Sequence, residues 1–190
     1  MKKRRVGRIL LFAFVGILLL TGLLALQNAH MNKTVHLRKY TIKSSEVPPA
    51  FDGYKIFVIS DLHNAPFHDQ IIRHIEDTAP DLLVFLGDVV QLPEGRAGEA
   101  KKIAEAFADT LPIYAVSGNH ESQNDAYWDI YDTLHWAGVK WLTDDGVLLE
   151  KEGDSILLLG LSNSKNSQGS EEEIEEKRKF IAEQTAPFEG

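Results

Sequence analysis

The chain has 190 residues, no cysteine, 20 Lys plus Arg against 28 Asp plus Glu, and a formal charge of −8. That length allows one domain with a small appendage, and the lack of cysteine excludes disulfides, thiolate metal sites and cysteine nucleophiles. Five basic residues (Lys2, Lys3, Arg4, Arg5 and Arg8) crowd the N-terminus, so the rest carries about −13, a poor match for nucleic-acid phosphates and a better one for metal cations.

Directly after this cluster comes "ILLFAFVGILLLTGLLAL", Ile9 to Leu26, 18 residues without a charge. As a helix it would span roughly 27 Å, close to a hydrocarbon core of about 30 Å. With the basic residues on one side only, the positive-inside rule keeps the N-terminus cytoplasmic and exports the remainder. A cleaved signal peptide would have a shorter apolar region, about 7–15 residues, ending in an A-x-A-like site. "LALQNAH" offers no convincing one. The expectation is an uncleaved single-pass anchor in the cell membrane, residues 1–30, with an extracytoplasmic body.

Residues 31–52 read as a connector and a first strand, in which Val35, Leu37, Tyr40 and Ile42 roughly alternate with polar residues before Pro48-Pro49. "YKIFVIS", 54–60, reads as a buried strand. Ile71, Ile72, Ile75 and Ala79 share one face of a helix that Pro80 stops. "DLLVFLGD" is a second buried strand. Ala100, Ile103, Ala104, Phe107 and Ala108 recur at helical spacing, and "LPIYAVSGNH" is a third strand. Ser122 and Asp125 form a candidate capping box for a helix burying Tyr127, Ile130, Tyr131 and Leu134. Three strand–helix alternations predict an α/β fold with a parallel sheet. "VKWL", "GVLLEKEG" and "SILLLGL" then predict short strands that turn the sheet antiparallel or mixed. The last segment, "SEEEIEEKRKFIAEQTAPFEG", reads as an acidic-to-basic helix with Ser170 and Glu173 as its candidate cap.

The chemistry lies at the strand ends. The first strand runs into Asp61-Leu62-His63, the second into Gly87-Asp88, the third into Gly118-Asn119-His120-Glu121. In an open α/β sheet the carboxyl ends of parallel strands share one edge, where ligands bind. Singly, each has a bland explanation: a helix cap, a tight turn, a surface histidine. Jointly, carboxylate, imidazole and amide donors on one edge suit borderline or hard divalent ions.

These blocks, "SDLHN", "GDVV" and "GNHE", resemble the D-x-H, G-D and G-N-H-[ED] motifs of the calcineurin-like metallophosphoesterases over roughly residues 54–162. The anchor and the strand before "PPAFDGYKIFVISDLH" look most like the membrane-associated bacterial branch, which includes proteins resembling UDP-2,3-diacylglucosamine hydrolase and YkuE-type phosphoesterases. The resemblance implies a metallo-dependent phosphatase-like αββα sandwich, here its N-terminal part over 53–190, preceded by one transmembrane helix. It implies two divalent metal ions, most naturally Mn, Fe or Zn. Asp61 and His63 would hold the first, Asp88 would bridge both, and Asn119 would bind the second. His120 would be the catalytic acid, oriented by Glu121 or Asp145. The activity would be hydrolysis of a phosphomonoester, phosphodiester or pyrophosphate by a metal-activated hydroxide, on a phosphorylated small molecule or lipid-linked substrate.

Two departures stand out. The family supplies a later histidine and a Gly-His-x-His block, whereas no histidine follows His135 here. The expectation is therefore the N-terminal portion of a longer protein or a truncated product, with a non-catalytic relic binding metal or a partner at the membrane as the alternative. His68, His74 and His135 read as surface histidines, not substitutes. After "LLLGL" the family often has an acidic pair, where this chain has Ser162-Asn163-Ser164.

Overall fold

The structure, a computed structural model, describes residues 2–31, 34–93, 95–161, 163 and 170–188. The chain divides into two compact units, Met1–Leu37 and Arg38–Gly190. In the first, α1 (Lys2–Met31) is one helix over the apolar stretch. Its described side chains, Gly7 and 12–27, are exposed, while the side chains of the basic cluster at 2–5 and 8 lie outside the described residues. Among the described residues, no helix is long and apolar enough to cross a membrane.

The second unit alternates strand and helix as the sequence predicts. In order come β1 (Ile56–Ile59), α2 (His68–Thr78), β2 (Leu82–Phe85), α3 (Gly98–Phe107), β3 (Ile113–Ala115), the single-turn α4 (Asn119–Ser122), α5 (Tyr127–Trp136) and β4 (Lys140–Trp141). All four strands are parallel, in the order β1-β2-β3-β4. Their register is level: Ile59, Phe85, Ala115 and Trp141 form one row across the sheet. A level row means that the loops after β1, β2 and β3 leave the sheet at one height on one edge.

Apolar burial holds this edge in place. Phe51, Leu82, Val84, Tyr114, Leu142 and Leu149 form a core cluster on one sheet face. Leu83 and Phe85 alternate to the other face and are fully buried. Burying each such side chain contributes about 1.5–3 kcal/mol. The helices bury Ile71 and Ile75, Ile103 and Ala104, and Ile130 and Leu134, with α2 packed on α3 and α3 on α5. α2 stops before Pro80, which cannot continue the helix, but Ala79 does not join its apolar face: exposed, it turns left-handed at φ 45° and donates its N–H to Ile75 O.

Four expectations are corrected. Residues 34–43 form no strand. Leu37, Tyr40 and Ile42 are 37, 82 and 87% exposed, and alternation without a neighbouring ladder cannot satisfy a strand's backbone. The segment after β4 does not turn the main sheet antiparallel. β4 stays parallel, and β5 (Asp145–Lys151) with β6 (Asp154–Gly160) makes a separate antiparallel hairpin. Its two-residue turn, Glu152-Gly153, has both φ positive at 52° and 93°, the combination that matches strand twist. Val147, Ile156 and Leu158 from the hairpin pack on the core cluster. Ser122 caps no helix, because α4 ends on it and α5 starts behind Asn124, whose Oδ1 accepts the Ala126 N–H at 2.9 Å. Tyr127 and Tyr131 are only half-buried. At α6 (Glu171–Thr185) the capping expectation holds: Ser170 Oγ accepts the Glu173 N–H at 3.1 Å.

Beyond the sheet, the loops after β2 and β3 nearly touch. A Cβ on Gly87 would sit 2.3 Å from Gly118 N, and Gly87 has φ +81°. Gly87→Ala combines a left-handed penalty with a backbone clash and is expected to cost at least about 2 kcal/mol. Gly153→Ala has a similar φ of +93° but open space, and should cost only about 1 kcal/mol. Urea unfolding of both variants checks the difference.

Candidate metal centre

The first ligand-bearing loop leaves β1 at Ser60. Its backbone continues the β1–β2 ladder past the sheet: Asp61 N–H donates to Gly87 O at 3.3 Å, His63 N–H to Asp88 O at 3.0 Å and Asn64 N–H to Val89 O at 3.0 Å. Four residues here adopt left-handed backbone: Asp61 (φ 55°), His63 (48°), Asn64 (55°) and Asp88 (52°). Asp, Asn and His tolerate this region best, at an order of 1–3 kcal/mol each, and such strain gathers at functional sites. The residue types thus serve twice, as donors and as the side chains able to turn these corners.

The third loop closes on the second through Glu121. Its side chain is fully buried. Oε2 accepts the Asp88 N–H at 2.7 Å and the Gly118 N–H at 2.8 Å, and Oε1 accepts the Val90 N–H at 3.1 Å. In return Asp88 Oδ1 accepts the His120 N–H at 2.9 Å. Gly118 is needed for this approach, since a Cβ there would meet Asp88 Oδ1 at 2.2 Å.

The result is a cluster. Ligand atoms of His63, Asp88 and His120 lie within 4.8 Å of one another, all three residues half-buried. The rings of His63 and His120 meet edge to face, with centroids 4.4 Å apart. Asp61 borders the group, its Oδ1 3.7 Å from His63 Nε2, but its side chain is 66% exposed and its Oδ2 accepts from Ser60 Oγ. Asn119 is the first residue of α4, between Gly118 and His120. The structure therefore brings His63, Asp88 and His120 together, puts Asp61 at their margin, and places Asn119 on the same turn as His120.

The residues suit a divalent cation. His63 Nδ1 and Asn64 Oδ1 are buried without a hydrogen-bond partner among the described residues, a costly state that a ligand would relieve. Imidazole and carboxylate donors match the borderline and hard metals expected. His120 is differently disposed. Its Nδ1 accepts the Leu92 N–H at 3.2 Å, which in the neutral ring puts the proton on Nε2.

Two second-tier expectations change. Glu121 engages backbone amides of both loops rather than the His120 imidazole, because its side chain is turned into the gap between them. Asp145 is exposed at the start of β5, and its Oδ1 accepts the adjacent Gly146 N–H. What contacts the His120 ring nitrogen is the Leu92 amide, and no side-chain pattern could announce a backbone donor. Asn64 carried a legible signal, a polar residue prolonging the Asp-x-His run. His68 is half-buried, its side chain 24% exposed, and paired with Glu99. His135 is exposed and stacks on Tyr131. Ser162 and Ser164 lie outside the described residues.

The chain is similar in sequence to known proteins. A family model described as calcineurin-like phosphoesterase matches residues 54–187. The chain is 39% identical over 70 residues to the uncharacterized metallophosphoesterase YkuE of Bacillus subtilis (strain 168), covering 34% of this chain and 23% of that protein. It is 22% identical over 130 residues to a transmembrane protein with metallophosphoesterase domain of Danio rerio, covering 64% of this chain and 30% of the relative. The chain thus spans under a third of either relative's length. A crystal structure of phosphopantetheinyl hydrolase (PptH) from Mycobacterium tuberculosis aligns with TM-score 0.41 and 17% identity, over 68% of this chain and 50% of that one. With the family match running from the start of the first buried strand through α6, and with the strand-end donors of its three blocks on one edge, the chain belongs to the calcineurin-like phosphoesterase family.

Proposed function

We propose that this chain carries a metal-dependent phosphoesterase centre that hydrolyses phosphomonoester, phosphodiester or pyrophosphate bonds. The observation that supports it is the trio of His63, Asp88 and His120, whose ligand atoms lie within 4.8 Å. In this reading Asp61, His63, Asp88 and Asn119 would be the residues that hold the divalent ions. Bound divalent ions would supply Lewis acidity and a water of lowered pKa, which suits phosphoryl transfer, where positioning and charge stabilisation dominate.

The chain's own residues do the rest. Glu121 holds the Asp88 and Gly118 amides at one spacing, so the carboxylate and His120 face the same space. The Leu92 N–H on Nδ1 leaves Nε2–H of His120 as the donor for a leaving-group oxygen. His63 and Asp88 would bind, and His120 would deliver the proton. The substrate is a phosphorylated small molecule or lipid-linked compound. The lipid arm and an extracytoplasmic location rest on the 18-residue uncharged stretch and its one-sided basic flank.

Purified full-length protein should hydrolyse an aryl phosphate or bis-aryl phosphate with added Mn²⁺, and a chelator should abolish this. Asp88→Asn should lower kcat/KM by at least about 100-fold together with metal affinity. His120→Asn should lower kcat by about 10²–10⁴-fold with metal still bound. Turnover that survives chelation and Asp88→Asn would sink the proposal, while Mn²⁺ binding without turnover would favour the non-catalytic relic. For the anchor, alkaline carbonate extraction of membranes should leave the protein in the pellet, and its release would refute a spanning helix.

A further inference from the structure

His68 and Glu99 occupy matching places in the fold. His68 is the first residue of α2, reached from the loop bearing Asp61 and His63. Glu99 is the second residue of α3, reached from the loop bearing Asp88. Near the sheet these loops are tied by backbone bonds, the last from Asn64 N–H to Val89 O at 3.0 Å. Further out, the first loop's backbone bonds turn local: Ala65 N–H to Leu62 O at 2.8 Å and Phe67 N–H to Ala65 O at 2.7 Å. The tie across the two loops is then made by side chains. His68 Nδ1 lies 2.7 Å from Glu99 Oε2, with the side chains only 24 and 15% exposed.

Both partners are themselves held. Glu99 Oε1 accepts from Lys102 Nζ at 2.8 Å, and His68 Nε2 lies 3.4 Å from Asp69 Oδ1. Burial alone would raise the Glu99 carboxyl, but the hydrogen bonds from Lys102 and His68 outweigh it and hold it below its usual range. Glu99 also sits in the first turn of its helix, where the macrodipole favours an anion. With the backbone ladder at one end and this pair at the other, the two loops form a closed ring.

We propose that the His68–Glu99 pair is a clamp that sets the spacing between His63 and Asp88, making both positioning residues for the metal centre. The metal part of this rests on the phosphoesterase reading above; the clamp itself rests on the loop geometry. It extends the site outward by one layer, to residues that no donor motif includes.

The test uses the full chain with His68→Leu, His68→Gln and Glu99→Gln, reading amide exchange and Mn²⁺ affinity by titration calorimetry. His68→Leu should speed exchange in residues 61–67 and 87–93 by at least about tenfold and weaken Mn²⁺ binding about tenfold. Protection at Leu83 and Ile113 in the buried strands should stay unchanged. His68→Gln keeps an N–H donor for Glu99 and should restore most of both losses, and Glu99→Gln should fall between the two. Unchanged loop exchange in His68→Leu overturns the clamp. So does a uniform loss at Leu83 and Ile113, or equal damage from the Leu and Gln variants. If the unaltered chain binds no Mn²⁺, the phosphoesterase centre fails, and loop exchange still decides the clamp.

Discussion

A buried carboxylate with three backbone N–H donors and no exposure to solvent organises this site. Glu121 draws the amides of Asp88, Val90 and Gly118 onto one pair of oxygens. Hydrogen bonds to a charged group contribute about 1.5–3 kcal/mol each, and removing the acceptor would strand three donors in a water-poor interior. The sheet delivers the loops to a common edge, but it does not dictate how close they come. Glu121 does that, and the glycines at 87 and 118 make the distance possible.

The centre is also strained, and the strain is distributed. Asp61, His63, Asn64 and Asp88 all take positive φ. None of these conformations would persist in isolation. They persist because the loops are bonded to one another from Asp61 to Asn64 on one side and through Glu121 on the other. The protein's own bonds thereby fix the donor atoms, so less ordering entropy would oppose the binding of a cation. The His68–Glu99 pair extends the same logic one layer further out.

How much of this was legible depended on the range of the interaction. β1, β2, β3 and the helices between them were readable, because apolar runs and 3.6-residue spacing are local signals backed by burial of Phe57, Leu83, Phe85, Ile75 and Ile103. The donors were readable because each stands directly behind a buried strand. Residues 35–42 misled, since alternation reports a side-chain pattern and not the presence of a neighbour to pair with. Ser122 misled because Ser-x-x-Asp fits a cap only if a helix starts there, and the four-residue turn of α4 intervened. His68 looked superficial because its partner lies thirty-one positions away.

The sequence by itself therefore determined the α/β alternation, the strand-end chemistry and the family's motif set, each written in contiguous residues and governed by short-range periodicity. Tertiary structure alone decided the level register of Ile59, Phe85 and Ala115, the turning of Glu121 toward loop amides instead of an imidazole, the separate hairpin of β5 and β6, and the capture of His68 by Glu99. Those outcomes depend on pairs of groups far apart in the chain. Which group a buried polar atom bonds is settled by what packing leaves within about 3 Å of it.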